Sequence, residues 1–167
     1  MRRINLGLPR PPGSRGFTLI EILITLAIVA LLAGMAAPIG DLIVQRAKEQ
    51  QLDRALHQIR DGIDAYKQAS DEGRIRISVG DSGYPKTLAE LVDGVVDQKS
   101  PKHTKMYFLR ELPRDPLATD PDLEAAATWA KRSYESPPDD PREGKDVYDV
   151  HSRSRGVGLN GRPYRDW

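Results

Sequence analysis

The stretch that decides the fold is Gly16–Ala37, G-FTLIEILITLAIVALLAGMAA. From Phe17 to Ala37 it holds one charge, Glu21, among Leu, Ile, Val, Ala and two Thr. As helix, at about 1.5 Å per residue, the run reaches roughly 31 Å, close to the ~30 Å of a bilayer's hydrocarbon. It is apolar on every face, which calls for lipid or other helices around it rather than one buried stripe. Glu21 is the misfit, since a carboxylate in that setting costs about 2.5–3.5 kcal/mol and groups that costly have a partner. A cut between Gly16 and Phe17 would create an α-amino group four residues away, about 6 Å along a helix axis. One copy's carboxylate could then neutralise a neighbour's ammonium at low dielectric, which sets a register between copies.

An ordinary secretory signal explains this stretch poorly. Gly34-Met35-Ala36 offers a small-residue cleavage site, but a signal's apolar core is about 7–15 residues long and carries no acid. A plain signal anchor fits the length and leaves Glu21 unexplained.

Outward from the run, residues 1–16 (MRRINLGLPRPPGSRG) are basic and rich in Pro and Gly, an extended leader rather than a helix. Arg2, Arg3, Arg10 and Arg15 place this end on the cytoplasmic side by the positive-inside rule, and residues after Ala37 across the membrane, which in a Gram-negative cell means across the inner membrane, in the periplasm. Four of the 25 basic side chains lie in the leader, so a chain beginning at Phe17 carries 21 against 24 acidic residues, net −3. Such a balance, with no basic stripe, gives no reason to expect nucleic acid as a partner. The chain has no cysteine, so an exported domain must draw its stability from its core, from assembly or from an ion.

After the span, Pro38 removes a backbone donor and predicts a bend near 34–38. The helix then resumes, and Leu52, Leu56, Ile59, Ile63 and Tyr66 recur at helical spacing as one buried stripe. A continuous or gently bent helix is expected from about Phe17 to Ser70, capped where Gly73 follows Asp71-Glu72. His57 falls off the stripe and reads as a surface histidine. This divides the chain into a leader (1–16), an apolar segment (17–37), an amphipathic continuation (38–72) and a globular region (73–167).

In that last region, Arg74–Val79 reads as a short extended piece ending at Gly80-Asp81-Ser82-Gly83. Thr87 with Glu90 forms the pattern of a capping box, predicting a helix to about Val92. Strands are expected over Thr128–Glu135 and Asp146–Ser152, with a third from around Tyr107–Leu109 or from the tail. The Pro-rich stretch 136–145 between them is a loop by composition. The fold class is therefore α+β, a long helix packed against a small antiparallel sheet.

A short basic leader, Gly, then F-T-L-I-E and a long apolar run resembles the type IV pilins and the pseudopilins of type II secretion. The order G-Y-P-x-T-x-x-x-L-V, Y-x-x-x-L-P-x-D-P and D-V-Y-D-V-x-S narrows the resemblance to the G-type major pseudopilins. It implies cleavage after Gly16 by a prepilin peptidase, N-methylation of Phe17, and Glu21 as the acid used in subunit docking. It also implies a homopolymer, contacts with other pseudopilins and with an inner-membrane secretion platform, and export of folded proteins driven by a separate ATPase. Type IV pilins, the alternative, serve motility, adhesion or DNA uptake and often close the C-terminal loop with a disulfide, which this chain cannot form. A third reading, a membrane-tethered periplasmic binding module for which the span is only an anchor, would be favoured by retention of residues 1–16.

Asp139, Asp140, Asp146 and Asp149 are the candidate calcium ligands, oxygen donors near a Pro/Gly-rich segment. The resemblance implies calcium in the loop after the last strand, with an acid following D-x-x-S. Here that loop is Ser152-Arg153-Ser154-Arg155-Gly156, with Arg155 where repulsion of a cation is expected. Catalysis is not expected. His57, His103 and His151 lack ligand spacing, and the chain has no Cys nucleophile, G-x-S-x-G or Walker loop.

Overall fold

The structure, a computed structural model, describes residues 16–167, apart from the side chains of residues 35–39. The leader before Gly16 lies outside this description. The elements in chain order are α1 (Leu19–Asp71), α2 (Ala89–Asp93), β1 (Val95–Val96), β2 (Lys105–Met106), α3 (Ala125–Thr128), β3 (Trp129–Arg132), β4 (Asp149–Ser152) and a closing 3-10 turn, Tyr164–Asp166. The arrangement is α+β, a long N-terminal helix followed by two small antiparallel sheets. The chain divides into two compact units, the first ending at Leu42 and the second running Ile43–Trp167.

In the first unit the apolar side chains are exposed all round α1, from Leu19, Ile20 and Leu23 to Leu31 and Leu32. Among the described residues no helix is long and apolar enough to cross a membrane. The apolar part with described side chains, 19–34, is about 24 Å long at ~1.5 Å per residue, and the run continues in sequence into residues 35–37. The bend expected near Pro38 falls at side chains outside the description.

The second unit is built on the stripe. Leu52, Leu56, Ile59, Ile63 and Tyr66 are all buried, with Leu88, Leu91, Trp129, Val147 and Val150 packed in the same cluster. Each fully buried Leu or Ile there contributes about 1.5–3 kcal/mol. Helix α1 ends as a Schellman turn: Arg74 N–H donates to Ala69 O (2.9 Å) and Gly73 N–H to Ser70 O (2.9 Å). Gly73 takes φ +71°, a conformation that costs a residue with a Cβ.

Strands β3 and β4 pair antiparallel, with Trp129 opposite Ser152 and Arg132 opposite Asp149. They are shorter than the two expected segments, because Ser133 N–H leaves the ladder for Arg142 O (2.9 Å) and the chain turns there. The expected third strand is not at 107–109. Phe108 and Leu109 N–H both donate to Leu91 O instead, and the extra pairing is β1 with β2, Val95 opposite Met106, in a separate two-stranded sheet. Residues 74–79 form no strand. Their backbone is held at its two ends instead, by Gln98 N–H donating to Arg74 O (2.8 Å) and by Asp81 N–H donating to Ser78 O (3.1 Å).

The capping box at Thr87 does not form. The position before α2 is Leu88, in helical conformation and without a side-chain cap. Glu90 accepts instead from Tyr66 Oη (3.0 Å) and Lys86 N–H (3.2 Å). Burial, with the Glu90 charge beside it, pushes the Tyr66 phenol well above its usual range.

Candidate functional site

Gly16 and Phe17 precede α1 and are exposed, Phe17 to 78 %. Helix α1 then starts on a cap. Thr18 Oγ1 accepts from Glu21 N–H (3.3 Å), and Ile22 N–H donates to Thr18 O (3.2 Å). Thr18 and Glu21 thus stand as the ends of a T-x-x-E start, and Glu21 occupies the first turn, where the helix dipole favours a negative group. Thr18 was not expected in this role, although the pattern T-L-I-E carries the signal. The site presents a non-helical Gly-Phe peptide and, one turn on, a single carboxylate ringed by exposed Leu19, Ile20, Ile22 and Ile24. Within one copy the Glu21 carboxylate has no ion-pair partner among the described residues.

The four acids considered for calcium are not brought together. Asp146 is buried and accepts from Ser82 Oγ, Ser133 Oγ (2.8 Å) and Tyr134 N–H (2.8 Å). Burial alone would raise its pKa, but these donors outweigh it and hold the carboxyl below its usual range. Asp149 pairs with Arg60 (2.8 Å), Asp140 pairs with Arg142, and Asp139 is exposed in the loop. Among the described residues no three His, Cys, Asp or Glu side chains form a group able to hold a metal ion.

The prokaryotic N-terminal methylation motif matches residues 12–37, the junction and apolar run just described. Over 115 residues the chain is 29 % identical to type II secretion system core protein G of Klebsiella pneumoniae, covering 65 % of this chain and 73 % of that protein. Over 120 residues it is 27 % identical to core protein G of Klebsiella michiganensis, covering 68 % and 75 %. The chain is pseudopilin-like. No solved structure matches it.

The motifs that narrowed the resemblance hold this pseudopilin-like unit closed. In L-P-x-D-P, Pro113 O accepts from Trp129 Nε1 (2.8 Å), and Asp115 accepts from Ser152 Oγ at the end of β4 (2.6 Å). In G-Y-P, Pro85 O accepts from Val147 N–H (2.8 Å), and Tyr84 meets Tyr134 and Tyr148 at centroid distances of 5.6 and 5.0 Å. The tail is fastened by residues that sequence reasoning missed. Glu49, on α1, accepts from Tyr164 Oη (2.8 Å) and Leu159 N–H (2.9 Å), and Gln45 Nε2 donates to Tyr164 Oη (3.1 Å). These partners stand more than a hundred residues apart, and no local pattern announces them.

Proposed function

We propose that this chain is a structural subunit of a type II secretion pseudopilus. Prepilin peptidase cuts after Gly16, Phe17 is N-methylated, and the trimmed subunit passes from the inner membrane into a periplasmic filament that promotes export of folded proteins. In the membrane the apolar run 17–37 is the span, with the leader cytoplasmic and the second unit periplasmic. Leaving lipid is offset by packing the same apolar surface against neighbouring helices. The step between neighbours is set by pairing of the Glu21 carboxylate with the terminal amine of an adjacent copy, a strong contact at low dielectric. Its partners are further copies, other pseudopilins, the peptidase, the inner-membrane platform and lipid. The role is non-catalytic, which fits relatives named as secretion-system core proteins.

One observation carries this reading: a lone carboxylate one turn from a Gly-Phe junction, on a helix apolar all round, inside a matched methylation motif. Mass spectrometry of the native protein's N-terminal peptide tests it. A chain beginning at Phe17 with one added methyl group is expected. A native chain that begins at Met1, or at Ala37, would overturn it.

A further inference from the structure

The ion that the resemblance implies for the C-terminal region is calcium, and the residues present do not fit it. The hollow beside β4 and the tail is lined by Arg60, Arg132 and Arg165 together with Asp139, Asp149 and Asp166. The side-chain charges of these six residues cancel. His151, also at the hollow, is held toward its neutral form, chiefly by burial and further by Arg60, Arg153 and Arg165, against the opposing pull of Asp149. A site for a divalent ion draws its affinity from a surplus of anionic oxygens, and these side chains supply none.

A guanidinium already sits where the oxygens converge. Arg60 Nε donates to Asp149 Oδ1 at 2.8 Å, and Nη2 donates to Val150 O at 3.2 Å and to the main-chain oxygen of Trp167 at 2.7 Å. We propose that Arg60 is the resident cation of the C-terminal closure, a side chain that fastens the tail to β4. Its acceptors come from two segments, β4 and the end of the tail, and its own backbone belongs to a third, α1. Planar donors in a fixed fork suit this task, since one group can hold several oxygens at once. The stem is anchored by the helix turn that carries Leu56, Ile59 and Ile63, all buried to within 1 %. An exposed ion pair would order little, whereas this cation is only about one-third exposed (33 %) and satisfies two main-chain oxygens besides the Asp149 carboxylate. Glu49 makes the second tie, roughly 16 Å along the same helix. The tail is thus held at two points. The closure is expected whether or not the chain polymerises.

The test uses the full chain in detergent micelles, with thermal unfolding and acrylamide quenching of tryptophan read in chelator and in millimolar calcium chloride. Trp167→Phe assigns the share of the signal that belongs to Trp167. For the unaltered chain the melting temperature is expected to agree within about 1 °C with and without calcium. Arg60→Gln should lower it by several degrees and open Trp167 to quencher, in proportion to the charge-assisted hydrogen bonds lost. Arg60→Lys keeps the charge but not the fork, and should leave Trp167 partly open. A rise of several degrees on adding calcium to the unaltered chain would overturn the assignment. So would unchanged quenching in Arg60→Gln or, if that variant does not fold, in Arg60→Lys.

Discussion

Ser152 Oγ donates to the Asp115 carboxylate at 2.6 Å, with both residues nearly sealed from water at 1 % and 3 % exposure. This bond ties the L-P-x-D-P turn to the last residue of β4. The same carboxylate caps its own turn by accepting from Leu117 N–H (2.8 Å), while Asp115 N–H donates to Thr128 Oγ1 (3.1 Å). Truncating either partner leaves a buried oxygen of the other one hydrogen bond short in a dry site, although Leu117 N–H and Ser154 N–H still reach them, and such a loss costs about 1–3 kcal/mol. Asp115→Ala and Ser152→Ala should each destabilise by roughly that amount. Because they share one bond, the double variant should cost at least about 0.5 kcal/mol less than the two added together. Denaturant unfolding followed by Trp129 fluorescence reads this directly, since the Trp129 indole donates to Pro113 O in the same turn. Simple additivity would show that the two residues act independently.

Asp146 gives the second unit an acid limit. Its folded pKa lies below the ordinary carboxylate value, the hydrogen bonds from Ser82, Tyr134 N–H and Ser133 outweighing the upward pull of burial. A group with a depressed folded pKa contributes stability that is present above the unfolded value near 3.9 and lost as pH falls through the folded one. Asp146→Asn should therefore lower the melting temperature clearly at pH 7 and much less at pH 3. Scanning calorimetry across that interval checks it. An equal loss at both pH values would mean that shape, not charge, is what the site requires.

Periodic elements were legible in the sequence, and contact-dependent ones were not. The stripe from Leu52 to Tyr66 and the stop at Gly73 rest on spacing and on one residue's backbone freedom, both local, and both stand as expected. The capping box at Thr87–Glu90 is also a local pattern, yet Glu90 is taken by Tyr66, which reaches it from a helix 24 positions upstream. The pairing of β1 with β2 rests on two residues a side, too short for alternation to show. Of the proposed assembly site, Gly16, Phe17 and Glu21 stand out in the sequence as a motif, and Thr18 was present in the same letters without being read as a cap. Arg60 and Glu49 were invisible, because their meaning lies in oxygens and donors supplied by the distant tail.

Gly94 marks the turn out of α2 and fixes how β1 meets β2. Its φ is +74°, and a Cβ there would stand 2.8 Å from both Met106 O and the Tyr107 ring. The Tyr107 ring is exposed and can swing aside, but the Met106 carbonyl cannot yield freely, since Met106 is paired to Val95 in the ladder. Gly94→Ala combines the strain of a positive-φ, extended backbone that is essentially glycine-only, about 1–3 kcal/mol, with that clash and should destabilise by about 2 kcal/mol or more. Amide exchange is expected to accelerate at 95–97 and 105–106 before it does in β3 and β4. Uniform acceleration across both sheets would place the effect elsewhere.

Glu21 and Thr18 share one helical turn but should fail in different ways. Thr18→Val removes the oxygen that accepts Glu21 N–H, and loss of such a cap costs about 0.5–2 kcal/mol of helix-end stability. It leaves the Glu21 charge in place, so filaments should still form. Glu21→Ala deletes the one charge in an otherwise apolar run, which makes insertion into lipid easier by up to about 2.5–3.5 kcal/mol. Membrane fractionation should therefore show that variant inserted at least as well as the unaltered chain. It should nevertheless assemble poorly, because the terminal ammonium of a neighbouring copy would have to be buried among Leu and Ile without a counter-charge, a cost that apolar packing does not offset. Electron microscopy of sheared filaments, with an assay for exported protein, reads both variants. Normal filaments and normal export from Glu21→Ala would remove the carboxylate from the assembly mechanism, and loss of assembly in Thr18→Val alone would transfer its role to the cap.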